Sequence, residues 1–329
     1  MLRPIAHLFL FAAILFLINI PVFGWDETGH KITAYIAWQQ MTPEVREKVI
    51  KILTSAPEDA QLSTFYMPYG SRRDEARKRE FFMFVASWAD VIRDRNFDTR
   101  YKKYNNGNWH YFDTLWTIKD GKVEYMKGPD SGKLMEKLVE FDKLIRGSAS
   151  DAEKAIAIAW LEHLIGDLHQ PLHTTGRVYD DSDRKGDQGG NLFLLIPKGS
   201  QREPGKPNNL HAYWDGIIGV NMPNTSDACE ADYLYPIAQT IMKAYPYSSL
   251  QGRLADGKFD VWEKEGVELS TTEVYKGVSR YETPSEDYKK KALKIGEERL
   301  ALAGYRMGNL FNAAFAPPPL AAATPPPAN

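Results

Sequence analysis

Between Leu161 and Asn191 the chain reads LEHLIGDLHQPLHTTGR, then a polar loop, then DQGGN. His163, Asp167, His169 and His173 fall within eleven residues there, and the helix that carries them must end at Pro171. Imidazoles and carboxylates at this density hold divalent cations or move protons. At about 100° per helical residue, Ile158, Leu161, Ile165 and Leu168 form one apolar stripe, with His163 and Asp167 on the other side beside Ile156 and Trp160. A helix apolar on two faces is buried, and a buried His and Asp one turn apart need partners, because solitary burial of such groups is costly. Taken alone, the pair reads first as a hydrogen bond satisfied within a core. His169 points away from both and reads as structural.

The pairing recurs. Of the seven histidines, six follow residue 24: His30, His110, His163, His169, His173 and His211. Three carry an acid at short spacing, His163 with Asp167, His211 with Asp215 and His110 with Asp113. Imidazole and carboxylate without thiolate suit zinc or another borderline divalent metal. Cys229 is the only cysteine, which excludes a cysteine-based zinc site and any internal disulfide.

The elements that position these residues are mostly helices. Ser150 with Glu153 makes a capping box for a helix from Asp151 to about His169. Thr28 is the expected cap of a helix running to about Met41, and Thr42-Pro43 opens a second one to about Leu53. Further helices are expected over 74–93 and 133–146, with a long final one capped by Ser285 and reaching about Phe315. Thr114 to Met126 reads as a hairpin turning at Asp120-Gly121, and Leu192 to Ile196 as a short strand. The class is all-α, one multi-helix domain with a minor β-hairpin.

Arg3 followed by the apolar run Leu8 to Phe23, with Val22-Phe23-Gly24 as a small-residue site, reads as a cleavable signal peptide over 1–24. The run is short for a membrane span, so the expectation is a secreted or periplasmic protein that begins at Trp25, with no membrane role after cleavage. Residues 25–316 form the expected functional domain, and the Pro/Ala-rich 317–329 reads as a disordered tail. A net charge of −2 supplies no global basic field for coating nucleic acid, which leaves room for a local cationic or metal-rich site.

Seven segments now fall in order: Trp25-Asp-Glu-Thr-Gly-His30, Ser87-Trp-Ala-Asp90, Asn108-Trp-His110-Tyr-Phe-Asp113, His163-Leu-Ile-Gly-Asp167, Gln170-Pro-Leu-His173, Gly189-Gly-Asn191 and Asn209-Leu-His211-Ala-Tyr-Trp-Asp215. With them the chain resembles the secreted zinc-dependent, single-strand-specific nucleases with 3′-nucleotidase activity. These share an all-α fold with the bacterial zinc phospholipases C. The resemblance covers essentially all of the chain after residue 24 and implies three Zn²⁺ ions. One is held by Asp90, His110, His163 and Asp167. A close neighbour is held by the α-amino group and carbonyl of Trp25, by His30 and by Asp167 as a bridge. A third is held by His173, His211 and Asp215.

The implied chemistry is in-line hydrolysis of phosphodiesters in single-stranded RNA and DNA, with 5′-phosphorylated products and nucleotide 3′-phosphates as further substrates. Asp113 matches the family's non-ligand acid, orienting water and Arg93, while Arg93 neutralises charge on phosphorus. Tyr111 offers a stacking face, and Asn191 a polar contact to the nucleotide. No stable protein partner is implied. Two positions depart from the family: Asp26 stands where glycine is usual, and Gln188 where arginine is frequent. An acid at position 26 is expected either to raise metal affinity or to obstruct phosphate. The lack of disulfides points to a bacterial-type relative. The competing readings are a zinc phospholipase C, with the same metals on a lipid headgroup, and an exported zinc-binding protein without catalysis.

Overall fold

The computed structural model describes residues 25–66, 73–126, 128, 132–180, 185–203, 205–225 and 229–316. The expected leader, 1–24, and tail, 317–329, lie outside them. In chain order the elements are α1 (Glu27–Gln40), α2 (Pro43–Leu53), α3 (Asp74–Val85), α4 (Trp88–Val91), α5 (Asp98–Tyr104), β1 (Thr114–Lys119), β2 (Lys122–Met126) and α6 (Leu134–Arg146). There follow α7 (Asp151–His169), β3 (Thr175–Arg177), α8 (Leu210–Asp215), α9 (Ile217–Asn221), α10 (Glu230–Ala244), α11 (Tyr247–Leu250), α12 (Phe259–Leu269) and α13 (Glu286–Phe315). The protein is mostly helical with one small sheet, as its sequence leads one to expect.

Helix α7 is the axis. Ser150 Oγ accepts from the Glu153 N–H and the Glu153 carboxylate accepts from the Ser150 N–H, so the capping box is complete. Every residue from Ala157 to His169 is buried, because α1, α2, α4, α6, α12 and α13 all pack against this helix. Its C-terminal end is gripped by α12 and α13. Arg299 Nε donates to the His169 carbonyl (3.1 Å) and Arg306 Nη1 to His169 Nε2 (2.7 Å), while the Glu265 carboxylate bridges both guanidiniums. His169 Nδ1 donates to Ile165 O (2.7 Å), so both ring nitrogens are satisfied within the core. That fixes His169 as a neutral, structural residue, its pKa held well below the usual value by burial and by the two arginines.

The sheet has the order β2-β1-β3. The β1–β2 hairpin turns through Asp120 (φ 49°) and Gly121 (φ 76°), the two positive dihedrals a tight hairpin turn needs. Strand β3 runs parallel to β1, pairing Thr114 with Thr175.

Several local expectations are corrected. Asp26, not Thr28, caps α1, since its Oδ1 accepts from the Gly29 N–H (3.0 Å) and Thr28 already lies in the first turn. The helix expected over 74–93 is broken at Ala86-Ser87, where the Ser87 and Asp90 N–H groups take i→i+3 bonds to Phe84 and Ser87 carbonyls (both 3.1 Å). The strand expected at Leu192 to Ile196 is a single bridge, Leu194 to Asn209, confined between the Gly189-Gly190 turn and Pro197. Helices α5 and α8–α12 go beyond what the sequence pattern announces. Most are short, and α10 carries Pro236 in its interior, a residue that ordinarily signals a helix end. Among the described residues no helix is long and apolar enough to cross a membrane.

Candidate metal centre

The site assembles where α7, the start of α1, α4, the turn before β1, the turn after α7 and α8 meet. Asp167 stands at its middle. Its Oδ2 lies 3.2 Å from His110 Nδ1 and 3.3 Å from His163 Nε2, while its Oδ1 lies 3.4 Å from His30 Nε2. One carboxylate thus divides its two oxygens between two sets of imidazoles. Asp90, from α4, brings Oδ1 to 3.8 Å from His163 Nε2 and 3.9 Å from His110 Nδ1. Beside them His173 Nε2 and His211 Nε2 face the Asp215 carboxylate at 3.6 and 3.4 Å. The groups His30/Asp90/His163, His110/His163/Asp167 and His173/His211/Asp215 each have ligand atoms within 4.8 Å of one another.

Three of the imidazoles are aimed by the backbone. His163 Nδ1 donates to Ala86 O (2.9 Å), His173 Nδ1 to His110 O (2.6 Å) and His211 Nδ1 to Gly189 O (2.7 Å). A carbonyl can only accept, so Nδ1 carries a proton in each and Nε2 is the nitrogen turned into the cluster. This is the arrangement by which proteins orient metal-ligating histidines. It also explains the break between α3 and α4: an unbroken helix would have spent the Ala86 carbonyl on the Asp90 N–H.

The parallel pairing of β3 has a local purpose as well. Phe112 N–H donates to His173 O (2.9 Å) and Thr114 N–H to Thr174 O (3.0 Å), which ties the segment bearing Asp113 alongside His173. The Gly189 turn supports His211, and a Cβ on Gly189 would stand 2.2 Å from Leu172 O. At φ 60° the position suits glycine on backbone grounds too.

Electrostatically the cluster is incomplete as protein alone. Trp88, Trp109 and Trp160 form an aromatic wall behind His110, whose ring lies 5.4 Å from that of Trp160. Burial, with the nearby Arg93 charge, pulls the His110 pKa down to about 4, and burial lowers that of His30, so both rings are neutral. Burial pushes the Asp215 carboxyl well above its usual range, despite His211 and Gln170. Asp167 goes the other way: burial opposes ionisation, but His163 and His173 hold it well below. Among the described residues both ring nitrogens of His30, Nε2 of His110, Oδ1 of Asp90 and Oδ1 of Asp167 are buried without a hydrogen bond. So many orphaned donor and acceptor atoms converging in one place would be costly in a protein core. Divalent cations of N/O preference are the partners that such a donor set fits.

The remaining residues named from sequence lie around this cluster. Trp25 is fully buried at the start of α1, and the Asp26 N–H bonds to Asp215 O (2.8 Å). Arg93 Nε sits 3.3 Å from Asp90 Oδ1. Asp113 is half-buried, and its pKa is pushed up to about 7 by burial, with His173 opposing and Asp187 reinforcing the shift. Tyr111 is half-buried, its ring and carbonyl packed on Gly132. The Asn191 amide donates to Gln188 O (2.9 Å) and holds the glycine turn.

A family model described as S1/P1 Nuclease matches residues 25–316. The chain belongs to the S1/P1 nuclease family. It is 24% identical to Nuclease S1 of Aspergillus oryzae over 305 residues, covering 87% of this chain and 90% of that protein. It is 23% identical to Endonuclease 2 of Arabidopsis thaliana over 319 residues, covering 89% and 91% respectively.

Within this S1/P1 nuclease, three buried polar residues go beyond what the sequence assigned. Gln170 donates from Nε2 to Asp215 Oδ1 (2.6 Å) while its Oε1 accepts from the Leu172 N–H (2.6 Å), so one side chain aims a carboxylate and caps the turn bearing His173. Asp187 is a buried acid that accepts from the Arg177 and Gly190 N–H groups and from the Tyr275 hydroxyl, which fixes the glycine turn. Glu162 is a fully buried acid on α7 with neither oxygen hydrogen-bonded among the described residues. The place of Gln170 beside Pro171 is the one signal of its role. The other two carry no signal in sequence, because their roles depend on what packs against them.

Proposed function

We propose that this nuclease is a zinc-dependent endonuclease that hydrolyses phosphodiester bonds of single-stranded RNA and DNA to 5′-phosphorylated products, and that it also removes the phosphate of nucleotide 3′-phosphates. The observation that carries the reading is the convergence of five imidazoles and three carboxylates, with three of the histidines pinned through Nδ1 to backbone carbonyls. Family membership supplies the reaction class.

The residues divide as follows. Asp90, His110, His163 and Asp167 would hold one Zn²⁺; Trp25, His30 and Asp167 would hold its neighbour; His173, His211 and Asp215 would hold a third. Zinc at such sites supplies Lewis acidity, bringing the pKa of water to near neutrality and withdrawing charge from phosphate oxygens. Asp113 orients the attacking water and Arg93 from beside His173. Arg93, on the Asp90 side, neutralises charge that builds on phosphorus. Tyr111 stacks on an unpaired base, which a duplex cannot offer without melting, and Asn191 bounds the nucleotide beside the glycine turn.

The α-amino group of Trp25 exists only once residues 1–24 are removed. Cleavage of the leader during export therefore completes the site. On this reading 25–316 is the working domain and 317–329 an extension. The experiment is product analysis with protein beginning at Trp25. Single-stranded oligonucleotides should yield 5′-phosphate ends while duplexes of the same sequence resist, 3′-AMP should release phosphate, and phosphatidylcholine should be untouched. Turnover of the lipid in place of nucleic acid would assign the site to a phospholipase C.

A further inference from the structure

A cavity of about 690 Å³ opens onto the metal centre from one side. Asp90 and Asp215 both line it, one from each end of the cluster, so the cavity looks onto the place where a phosphate bound between the two groups would lie. Its size suits a nucleotide-sized occupant, within the few hundred to about 1,000 Å³ typical of ligand sites. One wall is formed by Ala212 of α8, Gly219 of α9 and Gly216 at the junction between them, three positions with little or no side chain. A Cβ on Gly219 would meet nothing nearer than Asp26 Oδ2, at 3.5 Å. The same oxygen lies 3.6 Å from a Cβ on Gly216, so the Asp26 carboxylate edges this wall and a ring seated there packs beside it.

The lining also carries two cations, and one exposed acid, Glu27. Arg202 and Lys206, from the loop between the Gly189 turn and α8, line the same cavity and are exposed. Lys206 Nζ is paired with Glu203 (2.5 Å), but both side chains are about 70% exposed, and an ion pair so solvated is weak enough to exchange for a phosphate. Arg202 also lines the adjoining cavity behind the loop, so its side chain stands between the two spaces. Metal would neutralise two of the lining carboxylates, Asp90 and Asp215, which leaves Arg202 and Lys206 to offset Asp26 and Glu27 and to meet a phosphate.

We propose that this bay seats the nucleotide flanking the scissile bond, with Arg202 and Lys206 as its contacts to the next backbone phosphate. The assignment rests on the single-strand nuclease reading and adds to it the path the strand takes away from the metals. These two residues make the enzyme's affinity depend on strand length and on salt. A dinucleotide ends before it reaches them, and a longer strand does not.

The test compares zinc-loaded protein starting at Trp25 with its R202A/K206A and R202E/K206E variants on a single-stranded dodecamer and on a dinucleoside monophosphate. For the dodecamer, KM should rise about tenfold in the alanine pair and more in the glutamate pair, with kcat within about twofold. The slope of log(kcat/KM) against log salt should flatten by about 1.4, near 0.7 for each cation removed from a single strand's phosphates. The dinucleotide should respond far less. An unchanged dodecamer KM and salt slope would overturn the proposal, and so would an equal loss of kcat on both substrates, which would mean that the loop acts on the metal centre. A wild-type protein that cleaves neither substrate would overturn the nuclease reading itself, a result distinct from either.

Discussion

Gly166 and His30 occupy a space that admits no side chain between them: a Cβ on Gly166 would stand 2.6 Å from His30 Nδ1. The glycine lies in the interior of α7, where it costs about 1 kcal/mol of helix propensity relative to alanine. What it allows is the seating of the His30 ring against the helix, stacked on His163 at a centroid distance of 3.9 Å. Replacing it by alanine should force His30 away from Asp167. We expect Gly166→Ala to lose metal from the His30 position and about 100-fold in kcat/KM, the scale that follows from displacing a reacting group by an ångström. Metal content by elemental analysis, read beside activity, checks this. A variant with full metal and full activity would contradict it.

Gln170 aims Asp215 at 2.6 Å from within the core. Removing such an outer partner typically costs 10- to 100-fold in metal affinity. Gln170→Ala should weaken one metal site by that factor while leaving the others filled, which a chelator competition titration would resolve as a single step moved to weaker binding. A uniform weakening of all the bound metal would mean that Gln170 acts on the fold at large.

Legibility in the sequence follows the range of the interactions. The capping box at Ser150/Glu153, the Thr42-Pro43 start, the Ser285 cap and the Asp120-Gly121 turn are local and readable. Strand β3 is not, because its parallel pairing with β1 joins segments about sixty residues apart and leaves no local periodicity. Within the site, His163 with Asp167 and His211 with Asp215 are i,i+4 pairs and stand out in the sequence. His30 and Asp90 reach the same cluster from separate helices, and only their resemblance to a known motif set points to them. The supporting carbonyls of Ala86, His110 and Gly189 belong to the backbone, where residue type says nothing. For that reason the break that frees the Ala86 carbonyl looks like unbroken helix in the sequence.

Asp26 reads in the sequence as a residue that tunes the metals or obstructs phosphate. Its Oδ1 accepts from the Gly29 N–H, at the head of the helix that carries His30, while its Oδ2 lies toward Gly216 and Gly219 in the wall of the cavity that Asp90 and Asp215 also line. Asp26→Ala should cost about 1 kcal/mol, the usual loss on removing an N-cap, which in a domain of this size lowers Tm by roughly 2–4 °C. Asp26→Ser, which can still cap, should recover most of it. Thermal melts of the two variants decide the matter, and equal Tm values would show that capping is not what the carboxylate contributes.

Glu162 is buried without a hydrogen bond among the described residues, and burial pushes its carboxyl well above the usual range. The folded protein therefore holds this proton at pH values where the unfolded chain, with a pKa of about 4.3, has released it. Stability from this group falls as pH rises above about 4 toward the folded pKa, because the folded state binds more protons there. Glu162→Gln removes that dependence. Its Tm should gain on the wild type progressively as pH rises above about 4 and converge with it near pH 4. A difference independent of pH would show that the carboxyl is ionised in the fold.

The central claim is that the His/Asp cluster around Asp167 works as a metal centre on unpaired nucleic acid. The most direct measurement is cleavage of single-stranded RNA and DNA by protein beginning at Trp25, before and after EDTA and again on returning zinc. The account predicts cleavage that EDTA abolishes and zinc restores, with the His163→Ala variant inactive throughout. Cleavage that persists without metal, or a zinc-loaded protein that leaves every single strand intact, would contradict it.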